Sequence, residues 1–80
     1  MNYKIYAVEN IGGIGFELNS DGVIISHEEK IIDLDNQFYV EIWEGNRLIA
    51  YEPFKEFYRA KEWAEEYIET EKTVKVDINV

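Results

Sequence analysis

The stretch FYVEIWEGNRLIAY, residues 38–51, decides the fold of this chain. Its first half alternates two sets of side chains, one starting at Phe38 and the other at Tyr39, as the two faces of a strand do. Residues 44–46 (EGN) then supply a turn, and apolar residues return over positions 48–51. This pattern predicts a β-hairpin.

Shorter β patterns precede this hairpin. Residues 3–18 contain two alternating runs separated by Gly12-Gly13, which predicts a hairpin with a glycine-rich turn. Residues 19–22 (NSDG) are a strong turn signal, and the β-branched residues 23–25 after them predict a short strand. Residues 31–34 fit either a strand or a connecting arm, and we interpret them as a strand.

The chain after residue 51 predicts one helix and one final strand. Pro53 stands where the first turn of a helix tolerates proline, and residues 54–69 repeat apolar side chains at helical spacings. Residues 73–80 then alternate strictly between polar and apolar side chains, which predicts a strand. The buried face of that strand is expected to carry Val74, Val76, Ile78 and Val80.

Together these elements predict an α+β fold. We expect an antiparallel or mixed sheet of five to six strands, with one amphipathic helix packed on one face and the final strand at the C-terminus. Residues 1–80 fit a single domain, because 80 residues are too few for two hydrophobic cores. One helix covers only one face of such a sheet, so the other face needs a further explanation.

Composition restricts the classes of function. Seventeen acidic against eight basic residues give a net charge of −9, which repels phosphate backbones and anionic lipids and favours a basic protein as partner. The absence of cysteine removes disulfides and thiolate chemistry, so nothing ties the chain to an oxidising compartment. Residues 1–9 lack the apolar run of a signal peptide, and no stretch has the length of a membrane span. We therefore expect a soluble, cytoplasmic protein that binds neither nucleic acid nor membrane directly.

Residue patterns that would indicate catalysis or metal binding are weak. His27 is the one histidine, and its hydroxyl and carboxylate neighbours are adjacent only in sequence, so a surface histidine is the simpler interpretation. Residues 33–37 (DLDNQ) look like the start of a calcium loop but continue with Phe38 where such a loop needs glycine. Residues 12–15 (GGIG) precede a strand rather than a helix, which argues against a phosphate site. The sequence predicts no catalytic residue, metal or cofactor, and hence a protein that is not an enzyme.

A row of glutamates lies on the predicted helix, on the side away from its apolar residues. We call this row the acidic ridge; it consists of Glu62, Glu65, Glu66, Glu69 and Glu71. Glutamates three or four residues apart in this row repel each other. The row lies toward the negative end of the predicted helix dipole, whereas Lys55, Arg59 and Lys61 lie toward its positive end. Carboxylates on an exposed helix have spacings comparable with those of backbone phosphates. The ridge is therefore either a solvated surface or a mimic of nucleic acid that meets a basic surface.

A second candidate surface is aromatic. If Phe38 and the residues two and four positions after it face the helix, Tyr39 and Trp43 lie on the opposite face of the sheet. Tyr6 and Tyr51 can lie beside them on that face. Such a patch exceeds what a small monomer usually exposes. Three explanations are open: the sheet curls and buries both faces, two copies pack sheet to sheet, or the patch binds a partner.

The order strand, strand, helix from Phe38 to Ile68 resembles the layout of the arm-type DNA-binding domains of phage integrases. That resemblance implies a basic sheet face. Because this hairpin carries Glu41, Glu44 and a lone Arg47, DNA binding is not expected of this chain.

The function expected from these observations is that of a small acidic protein-binding module. It would inhibit a basic or nucleic-acid-handling protein by occluding it through the acidic ridge, as inhibitors encoded by phages and mobile elements often do. The alternative is a homo-oligomeric structural or accessory subunit, such as a homodimer, that associates through Tyr39, Trp43 and Tyr51. A third class, a small-ligand binder or enzyme with an aromatic pocket, has no positive support in the sequence.

Overall fold

The described residues form five strands and one helix. A computed structural model describes residues 1–8, 13–26, 29–32 and 37–78, and of residues 72–78 it describes only the backbone. The elements are β1 (Asn2–Val8), β2 (Ile14–Leu18), β3 (Lys30–Ile31), β4 (Phe38–Glu44), β5 (Arg47–Phe54) and α1 (Phe57–Ile78).

The strands form one antiparallel sheet in the order β3-β2-β1-β4-β5. The predicted hairpin of residues 38–51 forms as β4 and β5, and β1 joins it to the N-terminal strands with Ile5 opposite Val40. These observations confirm the α+β class and the antiparallel sheet with one helix. They do not confirm the order of the last elements, because the helix ends the described chain.

The β4–β5 hairpin combines a tight turn with a β-bulge. The turn contains Gly45, whose φ of 60° lies in the left-handed region that glycine adopts without a Cβ clash. Trp43 lies opposite Leu48 and Ile42 opposite Ala50, so Ile49 is an extra residue in β5. The bulge lets both residues 49 and 50 pack on the helix side of the sheet.

The helix begins later than the sequence predicts. Pro53 belongs to β5, where it lies opposite Tyr39, and α1 starts at Phe57 rather than Phe54. The prediction that Pro53 opens the helix is therefore wrong. β5 is an edge of the sheet, where a strand tolerates proline because one row of its backbone groups has no ladder partner.

The predicted C-terminal strand is also wrong. α1 continues to Ile78, so residues 73–78 are helical, while residues 79–80 lie outside the described chain. A strand here would need a sheet edge to pair with, whereas each further turn of an existing helix satisfies its hydrogen bonds locally. The cost of valine in a helix, below about 0.7 kcal/mol per residue, is too small to oppose this. The structure accordingly lacks the buried strand face predicted for Val74, Val76 and Ile78, and the fourth member of that face, Val80, is not described.

The segment between β2 and β4 contains less strand than the sequence predicts. Within residues 23–25, Ile24 forms an isolated bridge with Leu18. β3 comprises Lys30–Ile31, and residues 33–34 of the predicted strand lie outside the described residues.

The main core lies between the helix and the sheet. Its buried residues are Ile5, Leu18, Val40, Ile42, Ala60 and Ala64. Ala60 and Ala64 are completely buried, and their small side chains let the helix approach the sheet closely. The helix is thereby fixed with its opposite side in solvent.

A second, smaller cluster covers the other face of the sheet, which curls. It consists of Tyr6, Val8, Ile32 and Tyr39. The N–H of Ile32 donates to the carbonyl oxygen of Gly13, which holds Ile32 over this face. Because Tyr6 and Tyr39 are each only 8% exposed, the curled sheet explains much of the predicted aromatic patch within one chain.

Candidate functional site

The acidic ridge lies along the exposed side of α1. Glu62, Glu65, Glu66 and Glu69 are exposed, and Glu71 is half-buried. Because the helix continues to Ile78, the ridge occupies its middle rather than its C-terminal end. The expected conflict with the helix macrodipole is therefore wrong, since that effect is confined to the first and last turns. The repulsion between glutamates three and four residues apart remains.

Two cations near the start of the helix have partners outside the ridge. Arg59, three residues before Glu62, has its Nε 4.0 Å from a carboxylate oxygen of Glu56. Lys61, four residues before Glu65, donates from Nζ to the backbone oxygen of Ser20 at 3.1 Å. Both basic side chains thus have a partner outside the ridge.

Glu65 has a neutral partner in the sheet. The hydroxyl of Tyr3 on β1 donates to Oε1 of Glu65 at 3.4 Å. Partial burial, followed by the neighbouring charge of Glu65 and this hydrogen bond, raises the pKa of Tyr3. The phenol therefore remains a donor at neutral pH and does not cancel the charge of the ridge.

An aromatic groove adjoins the acidic ridge, and the sequence did not indicate it. Three rings form its wall, with the ring centroids of Phe54 and Trp63 5.7 Å apart and those of Trp63 and Tyr67 5.5 Å apart. Trp63 packs against the core but stays partly exposed. Trp63 and Tyr67 are one helical turn apart, but Phe54 belongs to β5, so the wall joins the sheet to the helix and helical spacing alone does not reveal it.

The groove has two adjoining compartments that share Trp63 and Glu66. The first has a volume of about 360 Å³, and its lining includes Phe54, Lys55, Arg59, Glu62, Trp63 and Glu66. The second, of about 220 Å³, is lined by Trp63, Glu66, Tyr67, Thr70 and Glu71. The first compartment therefore mixes both signs of charge, whereas the charged residues described in the lining of the second are the carboxylates of Glu66 and Glu71.

The aromatic face of the sheet is largely internal. The ring centroid of Tyr39 lies 6.2 Å from that of Tyr6 and 5.8 Å from that of Tyr51. Trp43 is half-buried, and Tyr51 is 58% exposed. Of the predicted interface residues, Tyr51 is thus the one that offers most of its side chain to solvent, while Tyr39 is buried.

A buried carboxylate lies at the centre of this face. Glu41 is 2% exposed, forms an ion pair with Lys30 through Oε2 and accepts a hydrogen bond at Oε1 from the indole Nε1 of Trp43 at 3.2 Å. The Nζ of Lys30 also lies 4.7 Å from the ring centroid of Tyr6. Both carboxylate oxygens are engaged, and within the described residues no buried side-chain polar atom lacks a hydrogen-bond partner. This arrangement suits a structural ion pair better than a general base.

The phenols beside Glu41 are held in their protonated form. Burial, and then the charge of Glu41, raises the pKa of Tyr6 well above its usual range, and the same two causes raise the pKa of Tyr39. Strand alternation placed Glu41 on this face, but no local signal indicated that it is buried or paired with Lys30. These residues act as donors and packing groups at neutral pH.

Several residues considered from the sequence are not placed. His27, Gly12 and the calcium-like residues 33–36 lie outside the described residues. Within the described chain, α1 lacks the apolar length that a membrane-spanning helix requires.

No protein-family model, curated protein or solved structure matches this chain.

Proposed function

We propose that this protein is a protein-binding module that docks its acidic ridge on the basic surface of a nucleic-acid-handling protein and occludes it. The observation that carries the proposal is the row of exposed glutamates along α1. Lys61 of the same helix donates to the backbone oxygen of Ser20, outside this row. A net charge of −9 adds long-range attraction to a basic partner.

The geometry of a helix supports occlusion of a nucleic-acid groove. Glutamates one turn apart are separated by about 5.4 Å along the axis, so the ridge presents negative charge on the length scale of a phosphate backbone. The fully buried Ala60 and Ala64 fix the orientation of the helix, so little ordering of the ridge is needed on binding. Electrostatic attraction of this kind raises the association rate and weakens with salt.

The test is a capture experiment with two variants of equal charge. Glu62→Lys/Glu65→Lys/Glu66→Lys reverses the ridge, and Asp21→Lys/Glu29→Lys/Glu52→Lys makes the same change of charge at exposed positions elsewhere. The tagged parent and both variants are used to capture proteins from a lysate of the native host. The proposal requires a nucleic-acid-binding protein that the parent and the control variant retain and the ridge variant loses. Equal loss of the captured protein in both variants would show that the ridge acts only through the net charge of the chain.

Self-association is the second candidate, and one observation favours it. Tyr51 and Leu48 are 58% and 39% exposed, and both belong to β5 at the edge of the sheet. Two copies could therefore meet through the exposed end of the aromatic face that includes Tyr39 and Trp43. Sedimentation of the parent and of Tyr51→Ser over a hundredfold range of concentration tests this candidate. A mass of one chain throughout that range rules it out.

A further inference from the structure

The second compartment of the aromatic groove combines two features that recognise one type of side chain. Its wall is the pair of rings of Trp63 and Tyr67, which pack at 5.5 Å between centroids. Its described lining also includes Glu66, Thr70 and Glu71, so an aromatic wall stands beside two carboxylates. Aromatic faces attract cations, and carboxylates accept hydrogen bonds from them.

The first compartment is less suited to a cation. Lys55 and Arg59 line it together with Glu56, Glu62 and Glu66, so an incoming positive charge meets repulsion as well as attraction. The two compartments share Trp63 and Glu66. A basic chain lying along the ridge is therefore directed toward the end of the groove that contains Glu71.

We propose that the Trp63–Tyr67 compartment binds an arginine side chain of the basic partner. This inference rests on the proposed function and names the contact that gives it specificity. The planar guanidinium stacks against the indole of Trp63 and donates to the carboxylates of Glu66 and Glu71. A lysine ammonium carries the same charge, but it has no planar group that can stack on the indole ring while donating to two carboxylates. The compartment therefore prefers arginine.

Two short peptides test this inference without knowledge of the partner. The probes are an acetylated and amidated pentapeptide with two arginines spaced by glycines, and its lysine counterpart. Titration into the ¹⁵N-labelled protein follows the indole N–H of Trp63, resolved from that of Trp43, and the backbone amides of residues 66–71. We expect the arginine peptide to move these signals and to bind about fivefold more tightly than the lysine peptide.

Matched variants separate the compartment from the rest of the ridge. Glu66→Gln and Glu71→Gln should each weaken arginine-peptide binding about threefold and reduce the preference over lysine. Glu65→Gln removes the same charge from the ridge outside both compartments and should retain the preference, while its amide oxygen can still accept from Tyr3.

The outcomes distinguish this inference from the proposed function. Equal binding of the two peptides, or signals that move evenly along the ridge, would overturn the arginine compartment and leave an electrostatic ridge intact. No binding of either peptide would overturn it as well. Arginine-selective binding in the groove, combined with no nucleic-acid-binding protein in the capture experiment, would establish the compartment and remove the occlusion mechanism.

Discussion

Lys30 of β3 forms an ion pair with Glu41 of β4, although two strands lie between β3 and β4 in the sheet. In a flat sheet, strands three positions apart are separated by about 14 Å, and side chains that stand roughly perpendicular to the sheet do not bridge that distance. The pair is therefore possible because the sheet curls. It ties the two-residue strand β3 to the centre of the fold and neutralises a carboxylate that is 2% exposed.

Removal of the lysine should destabilise the protein. We expect Lys30→Met to lower the free energy of unfolding by about 2–4 kcal/mol, because it leaves the buried Glu41 without its counter-charge. The lower part of this range applies because the side chain of Lys30 is 38% exposed, so water can partly replace it. Urea unfolding measures the change. Lys30→Met combined with Glu41→Gln should recover part of the loss, and a single variant as stable as the parent would show that the pair does not contribute.

The tyrosines around Glu41 should make the protein sensitive to alkali. The pKa of Tyr6 is raised in the folded state, so its contribution to stability is present below the ordinary tyrosine pKa of about 10 and is lost as the pH rises above that value. We expect the free energy of unfolding to fall between pH 10 and 11.5, and to fall less in Tyr6→Phe. Urea unfolding at several pH values tests this, with phenolate absorbance as a check on ionisation. Identical slopes in the two proteins would contradict it, because lysine deprotonation is common to both.

Two glycines with similar backbone conformations should differ in their response to alanine. Gly13 has a φ of 67°, and a Cβ there would lie 2.6 Å from the carbonyl oxygen of Ile32. Gly45 has a φ of 60°, and a Cβ there would meet nothing within 4 Å. Both substitutions incur the left-handed backbone penalty of about 1–2 kcal/mol, but only Gly13→Ala must also displace Ile32. Thermal unfolding should therefore show the larger loss for Gly13→Ala, and equal losses would argue against the placement of Ile32.

The C-terminal helix can be tested by two valines. Val74→Ala and Val76→Ala should raise the helical signal in circular dichroism and move the Cα chemical shifts of residues 72–78 toward helical values, since alanine favours a helix by a few tenths of a kcal/mol per residue over valine. If these residues instead formed a strand, the same substitutions would weaken it and lower the melting temperature.

Local sequence patterns predicted the parts of this fold that depend on neighbouring residues. Residues 38–51 combine strict alternation with a glycine turn, and both act over a few residues, so the hairpin was predicted correctly. Pro53 fits an edge strand as well as the first turn of a helix, and only the sheet order distinguishes them. The alternation of residues 73–80 likewise indicates a strand only if the chain leaves the helix and returns to an edge of the sheet, whereas residues 73–78 continue α1.

The features of the candidate site that were missed depend on contacts between distant residues. The sequence supplied the acidic ridge, because glutamates three and four apart share a side of any helix. It did not indicate the aromatic groove, because the ring of Phe54 comes from β5 and that of Trp63 comes from α1. It also did not supply the Lys30–Glu41 pair, since nothing near Glu41 in sequence distinguishes a buried carboxylate from an exposed one.

Displacement of nucleic acid tests occlusion by the acidic ridge most directly. The protein captured by the parent chain is bound to a fluorescent oligonucleotide, and the anisotropy of the label is followed as the parent, the ridge variant and the charge-matched control are added. Occlusion predicts that the parent and the control release the oligonucleotide at about one chain per binding site, with loss of the effect in the ridge variant and at high salt. Oligonucleotide that stays bound while the parent chain saturates its partner would contradict occlusion, because the two would then occupy different surfaces.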